Sequence, residues 1–136
     1  MINVIAAIIE KDGKYLISKR STELRNYPGY WSPICGQVEK GESQAEAVER
    51  ESIEEVNLDI KAKDKICEYV TNDNSGKLHW WTTEILSGEA KVVSDELAEI
   101  RWVTIQEMKR LHPMNKEDYK VFETYNSKKC MKLKHS

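Results

Sequence analysis

Three cysteines, Cys35, Cys67 and Cys130, are all the chain has. An odd number at wide spacing builds neither a disulfide framework nor a zinc cluster, and it fits a reducing cytoplasm. No apolar run approaches the roughly 20 residues that span a bilayer. The apolar start MINVIAAIIE lacks a basic beginning and a small-residue cleavage site, and it runs straight into KDGK. It therefore reads as a strand, not a signal peptide. Charge of one sign is not in excess either: 21 Lys and Arg against 23 Asp and Glu leave a net charge of −2. There is no global pull toward nucleic acid or an anionic membrane, so any anion must be held by a local arrangement. Internal repeats, low-complexity tracts and linker-like stretches are missing as well. What remains is 136 residues, 40% hydrophobic and 32% charged, the size and balance of one soluble globular domain over residues 1–136.

Residues 2–9 and 15–19 read as strands joined by KDGK, whose central Asp-Gly favours a tight hairpin turn. STELRNYPGYWSP, residues 21–33, is a loop, and a short strand covers 34–38. A helix follows, then a strand near 60–71, a turn at NDNSG and a longer strand to about Leu86. SGEAKVVSDELAE is a loop and IRWV a strand. Thr104 and Glu107 form a capping box for a short helix ending before Pro113. Asn115 caps a last helix carrying Tyr119, Phe122 and Tyr125 at near-helical spacing. The basic tail, about 128–136, reads as frayed and solvated. Local hairpins around one long central helix predict a mixed sheet with helices on its faces, an α/β fold.

The central helix holds a conflict. Ser43 and Glu46 make a second capping box, so the helix starts there. At 100° per residue, Ala45, Val48, Ser52 and Val56 share an arc of about 80°, the predicted core face. Glu51, Glu54 and Glu55 fall on the adjoining arc. Ala47 points there too, and its small side chain leaves that flank open. Arg50 stands at i,i+4 spacing from Glu46 and Glu54 and can pair with either. Glu51 and Glu55 are like charges at i,i+4, at a cost of a few tenths of a kcal/mol. They also lie toward the C-terminal end, where the helix dipole disfavours them. A solvated acidic face is the plain alternative, but these acids border the core. A divalent cation removes the conflict, and clustered carboxylate oxygens suit Mg²⁺ or Mn²⁺. Asn57 ends the helix, at a position where the left-handed conformation favours Gly and then Asn.

The stretch CGQVEKGESQAEAVERESIEEVNL resembles the Nudix box, signature of the Nudix hydrolases, MutT-like proteins among them. That pattern is G, five residues, E, seven residues, R-E, an aliphatic, any, E-E, any, G, an aliphatic. Gly36, Glu42, Arg50, Glu51, Glu54, Glu55 and Leu58 stand at the required places. Ser52 replaces an aliphatic and Asn57 replaces the last Gly; neither is a ligand position. YLISKRS, PGYWSPICGQVEKGES and DELAEIRWVTIQEM extend the likeness over roughly residues 2–111. The resemblance implies an α/β/α sandwich around a mixed sheet. It implies that Glu51, Glu54 and Glu55 bind divalent metal, with Glu39 and the Cys35 carbonyl as supporting ligands. Glu42 and Arg50 match positions that hold the loop and helix together. Another acid comes from a later loop, Glu96 or Glu99, while Asp95 and Glu96 are also candidates to read a base or sugar.

The activity implied is metal-dependent hydrolysis of a diphosphate linked to another moiety, with a small nucleoside triphosphate or related nucleotide as substrate. Glu51 or Glu54 would orient or deprotonate the attacking water, with Arg50 beside them. Arg20, ahead of Lys19, Arg25 and Lys40, is the candidate for the far phosphate. In LHWW, His79 and Trp81 face one way and Leu78 and Trp80 the other. One tryptophan is core; Trp81 is the candidate to stack on a base, with a dimer interface as the alternative. A monomer or homodimer is expected. Two other readings stay open. Isopentenyl-diphosphate isomerases share this box but add a cysteine and further histidines for metal binding; Cys35 precedes the box here, yet the chain is short and has only three histidines. A non-catalytic nucleotide-binding module usually loses box glutamates, and none is lost here.

Overall fold

The computed structural model describes residues 1–135, with side chains to residue 129. The chain opens with β1 (Ile2–Ile8), β2 (Glu10–Lys11) and β3 (Lys14–Arg20). Between β2 and β3, Asp12 and Gly13 adopt φ of 52° and 77°. Two successive positive φ values are what a two-residue hairpin turn demands, and Asp-Gly supplies them cheaply. Next come β4 (Trp31–Ser32), β5 (Ile34–Gln37), α1 (Gln44–Val56), β6 (Asp59–Val70), β7 (Gly76–Ser87) and β8 (Leu97–Val103). Two helices close the chain, α2 (Ile105–Met108) and α3 (Lys116–His135).

One sheet runs β5-β1-β7-β6, with β1 and β7 parallel and both outer pairings antiparallel. The second is antiparallel, with β2, β4 and β8 all paired to β3. β1 explains the unbroken apolar run near the N-terminus. Ile5 and Ala7 enter the core cluster beneath α1, while Ala6 and Ile8 enter the one shared with α3. A strand covered on both faces has no polar side to show. Phe122 of α3 is fully buried, edge-on to Tyr15 at 5.5 Å and to Trp80 at 5.3 Å. The result is the expected α/β/α layering around a mixed sheet.

Both capping boxes form as read. Ser43 and Glu46 exchange bonds at the start of α1, Thr104 and Glu107 at the start of α2. Asn57 closes α1 in the left-handed conformation, φ 63°. Replacing Ser43 with Ala leaves the Glu46 amide without its acceptor. That costs about 1 kcal/mol, readable as a lower urea midpoint with an unchanged slope.

Five expectations need correction. The buried stripe of α1 is Ala47, Val48, Glu51, Ser52, Glu55 and Val56, with Ala45 only partly buried. Ala47 is wholly enclosed, so its flank is not open. β8 begins at Leu97, because that residue continues the ladder opposite Arg20. The 21–33 loop is interrupted by β4, which pairs with Ser18 and Lys19. The basic tail continues α3 to His135, since no Pro or Gly interrupts it after Asn115, and Lys129 pairs with Glu10. Ser136 and the Cys130 side chain lie outside the described residues, where Cys35 and Cys67 are free thiols.

Candidate active site

The site is built where β5 runs under the middle of α1. Gly36 faces Glu51 so closely that a Cβ there would sit 2.2 Å from the Glu51 carboxyl carbon. Glycine is needed at this point for a close approach and not for an unusual backbone angle. The Glu51 carboxylate therefore lies against the β5 backbone, 8% exposed. Burial raises its pKa, and Arg50 opposes the rise. Gly36→Ala is expected to expel that carboxylate. Turnover and divalent-ion affinity should fall at least tenfold while the circular dichroism spectrum stays native, and isothermal titration with Mn²⁺ checks this.

Arg50 is the hub. Its Nε and Nη2 donate to the two Glu42 oxygens at 2.7 and 3.0 Å, a bidentate pair. Nη1 donates to Glu51 Oε1 at 2.9 Å and Glu54 Oε2 at 3.0 Å, and lies 3.6 Å from Glu39. Nη2 also donates to the Gln37 carbonyl at 3.0 Å. One guanidinium thus ties β5, the following loop and α1 together. Arg50 does not pair with Glu46, whose carboxylate is committed to the Ser43 cap. The Arg50 hydrogen bonds hold Glu42 below the usual carboxylate range.

Glu55 lies outside this network. It is 7% exposed, and its Oε2 is buried with no hydrogen-bond partner among the described residues. Burial pushes its carboxyl up to about 7, reinforced by the Glu51 and Glu96 charges and slightly relieved by Ser94. An orphaned buried carboxylate oxygen is costly unless something pairs with it. A hard divalent cation fits that oxygen and its all-oxygen neighbourhood. Among the described residues no three acidic, His or Cys side chains are already gathered as a complete ligand set. Glu51 and Glu54 here spend one oxygen each on Arg50.

The other candidates divide. Glu55 and Glu96 line a small cleft together with Arg20, Ser32 and Cys35. The Ser21 amide donates to the Glu96 carbonyl at 2.8 Å, which draws that loop to the end of β3. Cys35 sits in β5 opposite Ala6, and burial pushes its thiol up to about 12. Lys19 projects over the Trp31 ring, 5.8 Å from its centre, and Arg25 and Lys40 are exposed and line neither this cleft nor the larger cavity that adjoins it. Asp95 is exposed, and Glu99 pairs with Arg101 at 3.0 Å. Trp81 packs toward α1, donating to Gln44 at 3.0 Å, and lines neither cavity. Trp80 is the fully buried one, and His79 bonds Asn3 at 2.9 Å. Neither His79 nor His112 lines the carboxylate cleft.

A larger cavity of about 230 Å³ adjoins the cleft, sharing Arg20, Ser32 and Cys35 with it. Its lining includes Tyr69 and Asp118, which the sequence did not single out. Asp118 reads as an ordinary first-turn helix acid, and its partner lies 49 residues away.

The profile of the NUDIX domain family matches residues 1–125. The CTP pyrophosphohydrolase of Escherichia coli is 37% identical over 84 residues, 60% of this chain and 61% of that protein. The nucleoside triphosphatase NudI of an Enterobacter strain is 28% identical over 120 residues, 79% of this chain and 85% of its own. A MutT protein structure from Methanosarcina mazei superposes with a TM-score of 0.77 at 23% identity, covering 92% of this chain and 94% of that one. For three curated relatives the matched stretch spans 66%, 61% and 63% of their own length.

Proposed function

This chain belongs to the NUDIX domain family, and from that premise we propose that it is a divalent-metal-dependent hydrolase of nucleoside triphosphates or closely related nucleotides. The observation that carries this reading is the unpaired Glu55 oxygen beside Glu51 and Glu96, next to a cavity large enough for a nucleoside. The relatives named as a CTP pyrophosphohydrolase and a nucleoside triphosphatase support the substrate class.

Glu51, Glu54 and Glu55 would hold Mg²⁺ or Mn²⁺, with Glu39 and the Cys35 carbonyl in support. When bound, such an ion would supply positive charge against that accumulating as the phosphoanhydride breaks and would make the attacking water easier to deprotonate. Arg20 stands in the wall common to both cavities, where it neutralises a phosphate at their boundary. Glu51 and Glu54 are both candidates for the base. Glu54 is the freer, its side chain 56% exposed against 11% for Glu51, so it accepts the proton from the attacking water. Arg50 aims Glu54 by donating to its Oε2, and Gly36 leaves room for Glu51.

The test is pyrophosphate and phosphate release from a panel of nucleoside triphosphates, dinucleoside polyphosphates and nucleotide sugars. Release should require Mg²⁺ or Mn²⁺, stop with EDTA and yield a nucleoside monophosphate. No metal-dependent release from any member would overturn the reading and favour a binding module.

A further inference from the structure

Between β6 and α3 runs a groove of about 320 Å³ that shares no residue with the carboxylate cleft. That volume is within the range of small-molecule sites, about 300–1,000 Å³. Ile66 and Cys67 of β6 and Val121 and Tyr125 of α3 give it an apolar floor. Ile66 is 39% exposed, a large apolar side chain left to solvent, and a β-bulge puts it there. Lys65 pairs with Trp81 and Cys67 with Trp80, so Ile66 is the extra residue between them. Regular alternation would send Ile66 and Cys67 to opposite faces of the sheet; the bulge lets both line the groove.

The polar groups along the groove are placed by what they touch. The Tyr69 hydroxyl lies 3.0 Å from Trp80 Nε1 and 3.2 Å from Asp118 Oδ1. An indole N–H only donates, so the hydroxyl accepts from Trp80 and its own proton is spent on Asp118. Burial raises the pKa of the Cys67 thiol and the Lys128 charge opposes the rise, which places Lys128 near Cys67. Lys120, Thr124 and Lys128 all line the groove and follow one another at four-residue intervals, along one edge of α3. Lys63, Lys65, Lys77 and Lys129 each pair with a glutamate, whereas among the described residues Lys120 and Lys128 pair with none. Glu117 is the one acid lining the groove among the described residues, and it stands about 16 Å of helix away from Lys128.

We propose that this groove binds a single-chain amphiphile with an anionic head, the chemistry of a free fatty acid. The tail lies on Ile66, Cys67, Val121 and Tyr125, and the carboxylate lies at Lys120 and Lys128. A neutral apolar ligand would leave both ammonium groups unanswered, and a cationic one would meet them. A partner's strand does not fit. β6 is an outer strand of its sheet, but Lys61, Lys63 and Lys65 and the bulge guard that edge against an added strand. Ile66, Lys120 and Lys128 line this groove and not the cavity beside the carboxylate cleft, so the site is separate from the one that would hold nucleotide.

The test is titration calorimetry of the whole chain with octanoate, 1-octanol and acetate. Wild type should bind octanoate at least tenfold more tightly than acetate, which has the head without the tail. Ile66→Asp sets a negative charge on the floor and should weaken octanoate at least tenfold. Lys120→Gln combined with Lys128→Gln should weaken octanoate about fivefold and leave octanol unchanged, since exposed ion pairs are individually weak. All three side chains are exposed, so circular dichroism and melting temperature should stay those of wild type. No saturable binding of octanoate at millimolar concentration, or unchanged affinity in Ile66→Asp, overturns the assignment. An equal loss of octanoate and octanol in the lysine variant overturns the anionic head. Sedimentation with phosphatidylglycerol vesicles without binding of octanoate overturns the free acid in favour of a membrane surface.

Discussion

Glu54→Gln lowers turnover by about 10²–10⁴-fold and leaves the fold intact. The side chain is more than half exposed, so the amide adds no buried orphan, and α1 keeps its caps and apolar stripe. On the proposed hydrolase reading, the change removes the carboxylate that would take the proton of the attacking water, and removing a positioned base or charge costs factors of this size. The Kd for nucleotide in the larger cavity should change little, because Glu54 does not line it. Initial rates of pyrophosphate release, paired with nucleoside monophosphate binding, separate these effects. A variant that retains a tenth of the wild-type rate would place the base elsewhere, with Glu51 next in line.

Arg50→Ala acts on stability first. The guanidinium donates to Glu42, Glu51 and Glu54, and the Glu42 and Glu51 side chains are only 13% and 11% exposed. Truncation leaves two largely buried carboxylates without a counter-charge, beside a third in Glu55. Breaking a buried pair from one side costs several kcal/mol, and partial exposure of Arg50 lowers that to about 2–4 kcal/mol. For a chain of this length the melting temperature should fall by roughly 10 °C. Arg50→Lys should rescue little, since a point charge cannot make the bidentate contact to Glu42 while also reaching Glu54. Thermal melts of the three proteins measure it, and a divalent cation should restore part of the loss if it replaces the missing positive charge.

Features that depend on residues near in sequence were readable before any coordinates. Ser43 and Glu46, Thr104 and Glu107, and the Asp12-Gly13 turn all act over a few residues, and all form. Asn57 adopts the left-handed backbone for the same local reason. The helical period located the apolar stripe of α1 but missed its edge by one position. Ala47 is enclosed and Ala45 is not, because the flank of α1 that carries Glu51 turns toward Gly36 on β5. Alternation placed Trp80 and Trp81 on opposite faces of β7. It could not say that both faces are covered, one by α3 and the other by α1. Arg50 seemed free to choose between Glu46 and Glu54; the cap had already taken Glu46. The Trp80–Tyr69–Asp118 chain left no local trace, since it joins β7, β6 and α3.

Loss of the free Mn²⁺ paramagnetic resonance signal, on titration of the ion into this 136-residue chain, bears most directly on the carboxylate cluster. Wild type should take up the ion, and a variant with Glu51, Glu54 and Glu55 all changed to Gln should leave the signal of free Mn²⁺ untouched. Equal uptake by both proteins, or none by wild type at millimolar Mn²⁺, would contradict a metal site on α1.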